Sequence, residues 1–303
     1  MTRLSFNLFG LGYWFNGDFE RVWRVIAMGD EMGMDQVSAA EHMIMSKNTG
    51  PYPYGSYGPP LDFPWHEPMM LLTAVAARTK RLRLSTGILI TPIRSAVHLA
   101  KQVATLDHLS GGRVDLGVGT GWQREEYDSS NLPFESRLDR LEEQLHVCKT
   151  LWTQSPASFH GKYNNFDELM QLPFPPQGGN LPIFFGIAPT EKNIDRIARL
   201  GVGWLPMETA PEKLAPVIEA LRAAFKAKGR DPAELQVRVS LPAVMNAQGR
   251  GDIAATAAGA QALIDIGVTG FDLSPMPFVQ GQESEFEHFF KTYLTVKDLK
   301  PKR

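Results

Sequence analysis

The chain of 303 residues contains a single cysteine, Cys148. One cysteine excludes a disulfide within the chain, and this fits a reducing cytosol, so we expect a cytoplasmic protein. Cys148 follows Leu141 and Leu145 at helical spacing, which indicates a small buried residue and not a nucleophile. A fold that depends on internal disulfides is therefore excluded.

The net charge is also small: the chain has 31 Lys and Arg residues and 33 Asp and Glu residues, which gives −2. That balance lacks the basic face that nucleic-acid binding needs. No stretch reaches the ~18 continuous apolar residues of a membrane span. The apolar N-terminus is interrupted by Asn7 and two glycines and has no small-residue cleavage site, unlike a signal peptide. We therefore expect a protein that binds neither nucleic acid nor membrane.

Metal ligands are missing in any usual spacing. The seven histidines form no HxH or HExxH pattern, and a cysteine cluster is excluded by the count of one. The sequence therefore predicts no metal site.

What the chain does have is a regular alternation of strands and helices, seen best between Leu82 and Trp122. A β-favouring run at 82–87 is followed by a helix that Ser95 would cap and that Gly111 and Gly112 would end. A second apolar strand at 113–118 then ends in GVGTG. The economical interpretation is a parallel strand pair joined by a helix, with chain able to approach a ligand at both Gly-rich strand ends.

The same alternation runs through the whole chain and predicts eight strands. They are Leu4–Phe9, Asp35–Ala40, Leu82–Gly87, Arg113–Val118, Leu181–Gly186, Gly203–Met207, Leu235–Leu241 and Phe271–Ser274. With eight helices between and after them, the α/β pattern favours a (β/α)₈ TIM barrel over an open doubly wound sheet. We expect one domain over residues 1–303. It would carry a long loop at 43–66 after the second strand and an insertion at 154–180, with a short hairpin, after the fourth helix (136–153).

In such barrels, functional residues lie at the carboxyl ends of the strands. Glu41 and His42 end the second strand, and an acid beside a histidine either moves a proton or is an ordinary strand-end pair. The glycines of GVGTG are either an unspecialised rim or a backbone cradle for a planar cofactor; their spacing and mid-chain position exclude a Rossmann turn. Thr190 is a helix N-cap that also fits an anion site.

Three segments in this order resemble the luciferase-like monooxygenase superfamily, whose members are barrel enzymes that use FMN or a deazaflavin. The segments are STGILITPIR at 85–94, AKQVATLDHLSGGRVDLGVGTGW at 100–122 and RLGVGWLP at 199–206. The branch most similar is that of the deazaflavin-dependent oxidoreductases, in which an acidic pair, here Glu125 and Glu126, follows GVGxGW.

The resemblance implies roles for the strand-end residues. His42 and Glu41 would be catalytic, beside the cofactor ring. Gly87 and Ile88 would form a bulge with a non-prolyl cis peptide behind that ring. The remaining cofactor-binding residues would be Thr91, Gly117, Gly119, Thr120, Gly121, Gly186, Ile187 and Ala188, with Ile187 standing where the family usually has a second glycine.

The resemblance also implies a substrate. Related sugar-phosphate dehydrogenases have Glu where this chain has Trp122, which disfavours sugar phosphates and favours an apolar small molecule. The expected substrate pocket is made of Met43, Met45, Trp65, Trp122, Met207 and Met276. The implied activity is hydride transfer to or from 8-hydroxy-5-deazaflavin (coenzyme F-420). The alternative is a two-component FMN monooxygenase with a separate reductase. In either case the resemblance implies a homodimer.

Overall fold

The computed structural model describes residues 2–302. Its strands are Arg3–Asn7 (β1), Gln36–Ala39 (β2), Arg83–Thr86 (β3), Leu89–Ile90 (β4), Val114–Gly119 (β5), Ala157–His160 (β6), Asn165–Leu169 (β7), Ile183–Phe185 (β8), Gly203–Trp204 (β9), Gln236–Ser240 (β10) and Gly270–Leu273 (β11). Its α-helices are Phe19–Met32 (α1), Pro68–Ala76 (α2), Ala96–Ser110 (α3), Arg124–Ser129 (α4), Arg137–Leu151 (α5), Glu191–Leu200 (α6), Pro211–Ala227 (α7), Ile253–Asp265 (α8) and Glu283–Tyr293 (α9).

The parallel strands close into a barrel. In spatial order they are β1, β2, β3, β5, β8, β9, β10 and β11, and β11 pairs back onto β1 with Leu4 opposite Phe271. The predicted (β/α)₈ barrel is confirmed. Because all of these strands are parallel, their carboxyl ends share one face, which is the mouth of the barrel.

Local sequence signals set several helix ends. Ser95 accepts a hydrogen bond from the backbone N–H of His98, and Gly111, in the left-handed region with φ 68°, follows α3. Asp18 caps α1 in the same way through Glu20 and Arg21. Cys148 is fully buried on α5, as its spacing predicts. No helix within residues 2–302 combines the length and the apolar character needed to cross a membrane.

The predicted insertion after the fourth helix contains the predicted hairpin. Strands β6 and β7 pair antiparallel, with Phe159 opposite Phe166. The turn between them is tied to α5, because one carboxylate oxygen of Glu143 accepts hydrogen bonds from the backbone N–H groups of Tyr163 and Asn164, at 2.8 and 2.7 Å. The insertion therefore packs along α5, with the guanidinium of Arg140 over the ring of Tyr163 in the turn.

One local prediction was wrong. The polar composition of 122–134 indicates a loop, but this segment contains the short helix α4, which at six residues is too brief to show helical periodicity. The segment at 11–17, before α1, is a 3₁₀ turn in which Phe15 and Asn16 have φ of 52° and 56°. The third strand also does not run on unbroken, since the chain leaves β3 at Gly87 and resumes pairing with β5 as β4.

Candidate active site

His42 stands at the barrel mouth, directly after β2, and is held by a buried carboxylate. Its Nδ1 lies 3.3 Å from Glu126 Oε2, and the Glu126 side chain is completely buried. The other oxygen, Oε1, accepts the backbone N–H of Met43 at 2.9 Å. An imidazole whose Nδ1–H donates to a carboxylate keeps Nε2 as the nitrogen available to a bound molecule.

Aromatic rings surround the imidazole. The ring centroid of His42 is 4.8 Å from that of Trp65, 5.9 Å from that of Trp122 and 6.4 Å from that of Tyr57. Trp65 and Tyr57 come from the long loop predicted at 43–66, and Tyr52 of that loop also contacts Trp122, at 5.3 Å. The loop therefore packs across the mouth and makes the surroundings of His42 largely apolar.

Glu41 is directed into a different set of contacts from its neighbour His42. Its carboxylate forms an ion pair with Arg94 and accepts the backbone N–H of Ile90 at 2.6 Å. Burial raises the pKa of Glu41, and the charge and hydrogen bonds of Arg94 oppose that rise. With both oxygens already engaged, this carboxylate fixes the chain after the bulge relative to β2.

The bulge after β3 has the predicted form. The peptide bond between Gly87 and Ile88 is cis. The Ile88 side chain packs between the backbones of two other predicted site residues. A Cβ added at Gly119 would lie 2.7 Å from Ile88 Cδ1, and one added at Gly186 would lie 2.6 Å from Ile88 Cγ2. A side chain at either glycine would occupy space that Ile88 fills, so three strand ends meet here only because two of them lack a Cβ.

Two side-chain donors fix the backbone of the loop 186–190. The carbonyl of Ile187 accepts a hydrogen bond from Trp204 Nε1 at 3.0 Å, and the carbonyl of Ala188 accepts one from Asn193 Nδ2 at 2.8 Å. Thr190 caps α6 by accepting the backbone N–H of Asn193. Thr190 therefore has the N-cap role that its sequence position predicts.

Other predicted cofactor residues line the same strand ends. A Cβ at Gly117 would come 2.0 Å from the carbonyl oxygen of Thr86, and Gly121 adopts φ 61° beside Ile90. The carbonyl of Thr120 accepts a hydrogen bond from the Tyr127 hydroxyl at 2.5 Å. Thr91 is buried, and its hydroxyl has no hydrogen-bond partner among the residues of the structure.

The predicted pocket residues do not all come together. Trp65 and Trp122 contact His42, while Met43 is joined to the site through its N–H and Met45 through Gln123, whose Nε2 lies 3.5 Å from the Met45 sulfur. In contrast, Met207 is 55% exposed on the chain after β9. Met276 packs against Gly10 and lines a cavity whose walls do not include His42.

Sequence reasoning missed the supporting residues of this site. Gln123 accepts the backbone N–H of Ser46 at 3.1 Å, Glu126 holds His42, and Arg94 pairs with Glu41. The acidic pair at 125–126 was visible, but its role depends on α4, which turns Glu126 inward and leaves Glu125 to bond Asn48. Within residues 2–302, no group of three or more His, Cys, Asp or Glu side chains is placed to hold a metal ion.

Comparison with known proteins gives the family. The model of the luciferase-like monooxygenase family matches residues 10–288. The chain therefore belongs to the luciferase-like monooxygenase family.

The relatives are diverse. An uncharacterized protein of Mycobacterium tuberculosis is 38% identical over 165 residues. These residues are 54% of this chain and 58% of that protein, so the match spans little more than half of the relative. The FMNH₂-dependent dimethylsulfone monooxygenase of Pseudomonas putida is 30% identical over 167 residues, 54% of this chain and 46% of that enzyme. The solved coenzyme F420-dependent tetrahydromethanopterin reductase of Methanopyrus kandleri has the same fold, with a TM-score of 0.73, 16% identity and 98% coverage of each chain.

Proposed function

We propose that this protein transfers a hydride between 8-hydroxy-5-deazaflavin (coenzyme F-420) and an apolar small organic molecule. The observation that carries the proposal is the buried pair of His42 and Glu126 beneath a cover of aromatic rings. The resemblance of GVGTGW and its acidic pair to the deazaflavin branch, and a structural neighbour named for F420, support the choice of coenzyme.

The strand ends fit a flavin-type ring in two respects. The Thr91 hydroxyl is buried without a partner, which is costly unless a ligand or water bonds it. Because Gly119 and Gly186 have no side chains, Ile88 lies between them. Its side chain would give the ring an apolar surface to pack against. The cradle would comprise Gly87, Ile88, Thr91, Gly117, Gly119, Thr120, Gly121, Gly186, Ile187 and Ala188. When bound, the deazaflavin supplies the hydride chemistry, and the protein supplies position and electrostatics.

In this proposal Glu41 and His42 have different roles. His42 is the proton donor or acceptor, acting through Nε2 while Glu126 fixes the imidazole through Nδ1. Glu41 is a positioning residue, since Arg94 and the Ile90 N–H occupy its carboxylate. Trp65, Trp122 and Tyr57 exclude water and favour an apolar substrate. Met45 extends that apolar lining, whereas the side chain of Met43 is exposed and only its backbone N–H joins the site.

A second candidate is an FMN-dependent monooxygenase supplied by a separate reductase. The similarity to the FMNH₂-dependent dimethylsulfone monooxygenase favours it. The same cradle serves either ring, so the coenzyme distinguishes the two functions. A homodimer is proposed with either function, as the resemblance implies, and a cytoplasmic location is proposed from the single cysteine.

Two measurements test the proposal. The purified protein, freed of any cofactor, is titrated with coenzyme F-420 and with FMN while ligand fluorescence is followed. We expect tighter binding of F-420; FMN binding at least ~10-fold tighter, about 1.4 kcal/mol, would reverse the choice. His42→Ala should slow turnover with the preferred coenzyme by ~10²-fold or more while the fold survives. The matched control is His98→Ala, since His98 is exposed on α3, and it should be neutral. Normal turnover of folded His42→Ala would exclude His42 from the reaction.

A further inference from the structure

A cavity lies beside the barrel mouth, away from His42. It has a volume of about 400 Å³ and opens between the 3₁₀ turn at 11–17 and the chain at 276–282 that leads into α9. Its apolar walls come from Trp14, Phe15, Phe286 and Met276. A volume of this order is that of small-molecule sites, and aromatic walls of this kind bind apolar groups.

The walls carry no charge that is free to bind an ion. Arg21 is the charged residue among the described lining residues. Its Nε donates to Glu283 at 3.2 Å, its Nη2 donates to the carbonyl of Gly281 at 3.2 Å, and its guanidinium carbon lies 4.1 Å from the centre of the Phe15 ring. A neutral molecule therefore fits this cavity better than an anion or a cation.

One wall residue has a hydrogen-bond donor without an acceptor. Trp14 is 3% exposed, and its indole N–H has no acceptor among the residues of the structure. A buried donor without an acceptor is unfavourable, and indole can only donate. An oxygen atom on a bound molecule would supply the acceptor that the protein does not.

The turn that carries Trp14 also has an unusual backbone. Phe15 and Asn16, the two residues that follow it and that line the same cavity, both adopt left-handed conformations with φ of 52° and 56°. Residues other than glycine hold such conformations at an energetic cost, and they cluster at ligand sites. The turn thus places an aromatic pair and a side-chain amide along one wall.

We propose that this cavity is a second small-molecule site, which binds a neutral, mainly aromatic compound through one acceptor oxygen, such as an aryl ketone. The ketone oxygen accepts from Trp14 Nε1, and its ring packs against Phe15 and Met276. The site is independent of the coenzyme site, because its walls include neither His42 nor the glycines that surround Ile88.

The test uses acetophenone as the probe and the indole N–H resonances of the ¹⁵N-labelled protein as the readout. Trp14→Phe identifies the Trp14 signal among those of the six tryptophans. Acetophenone should shift that signal saturably. Ethylbenzene, which has the same shape without the oxygen, should bind more weakly, and so should benzoate, which carries a charge. Trp14→Phe should weaken acetophenone binding about 3- to 10-fold, the effect of one neutral hydrogen bond, and leave ethylbenzene binding unchanged.

Matched variants separate this site from the proposed active site. Trp23→Phe changes a tryptophan outside the cavity and should leave acetophenone binding unchanged. Val279→Trp fills the cavity and should abolish binding in a folded protein. His42→Ala and saturation with coenzyme should both leave the Trp14 response intact. A response of Trp65 or Trp122 in place of Trp14, equal binding of ethylbenzene, or loss of binding in His42→Ala would each overturn the proposal.

Discussion

Glu126 joins two consecutive residues of the β2 loop, accepting from the imidazole of His42 through one carboxylate oxygen and from the backbone N–H of Met43 through the other. Helix α4 thus sets the orientation of the imidazole from a distant part of the chain. Because the carboxylate is buried, both hydrogen bonds act in surroundings of low polarity, where they are stronger than in water.

Replacing Glu126 by Gln should reduce turnover while preserving the fold. The amide keeps the shape and can still accept the Met43 N–H through its oxygen, but its NH₂ group cannot accept the imidazole Nδ1–H. We expect kcat to fall about 10- to 100-fold, the range for misplaced catalytic groups. Unchanged kcat in the folded Glu126→Gln protein would show that this carboxylate does not orient His42. Glu125→Gln, at the neighbouring exposed carboxylate, is the control.

Removing Arg94 should destabilise the protein, because Glu41 would remain buried without its ion-pair partner. For Arg94→Met we expect a loss of about 3–5 kcal/mol in the free energy of unfolding, measured by denaturant titration. Glu41→Gln in the same chain should restore part of it, since the two changes are coupled.

The pH dependence of that loss has a definite sign. Burial raises the pKa of Glu41, so the folded state binds a proton more readily than the unfolded state. The folded Arg94→Met variant is therefore stabilised as the pH falls through the raised pKa of Glu41, which lies above the usual value of 4.5. Its loss of unfolding free energy relative to the parent should shrink in that pH range. A deficit that grows on acidification would contradict the assignment of Glu41.

Gly186→Ala should impair coenzyme binding more than folding. The new Cβ would lie 2.6 Å from Ile88 Cγ2, so Ile88 must move, at a cost of about 1–3 kcal/mol. We expect at least ~10-fold weaker coenzyme binding by fluorescence titration. Adding Ile88→Ala should relieve the contact and recover part of the affinity. Gly259→Ala, where nothing lies within 4 Å of the added Cβ, is the matched control. Unimpaired binding by Gly186→Ala would show that Ile88 does not support the ring.

The Glu142 carboxylate should stabilise the folded protein at neutral pH and lose this effect at acidic pH. Burial alone would raise the pKa of this carboxylate, but hydrogen bonds from Arg199 and Arg196, both 2.7 Å long, outweigh it and lower the pKa. A depressed folded pKa means that the contribution is complete above the usual value of 4.5 and is lost as the pH falls through the lower folded value. Glu142→Gln should therefore lower the melting temperature at pH 7 and have little effect near pH 3. An equal loss at both pH values would show that the ion pairs do not cause it.

The parts of the structure that follow from repeating patterns were predictable. The apolar strands, the caps at Ser95 and Thr190 and the Gly111 helix end each depend on neighbours within a few residues, so sequence spacing reveals them. The strand ends of a parallel barrel necessarily meet, which placed His42 and the glycines on one face. The cis bond at Gly87 came from the family resemblance alone.

The pairing of side chains was not predictable. Glu41 and His42 are adjacent in sequence but bond to partners 53 and 84 residues away, and no local pattern encodes which partner each receives. The separation of Met276 from the other pocket residues has the same origin, because rim residues from β11 face a neighbouring cavity.

The β6–β7 hairpin forms its own two-stranded sheet and can be modified separately from the barrel. Glu143 holds the turn to α5, and within the described residues the two strands pair only with each other. Foreign sequence placed at the exposed Lys162 would extend from α5 into solvent without interrupting any strand of the barrel. The hairpin therefore offers a position for affinity tags or surface immobilisation that leaves the barrel pairing intact.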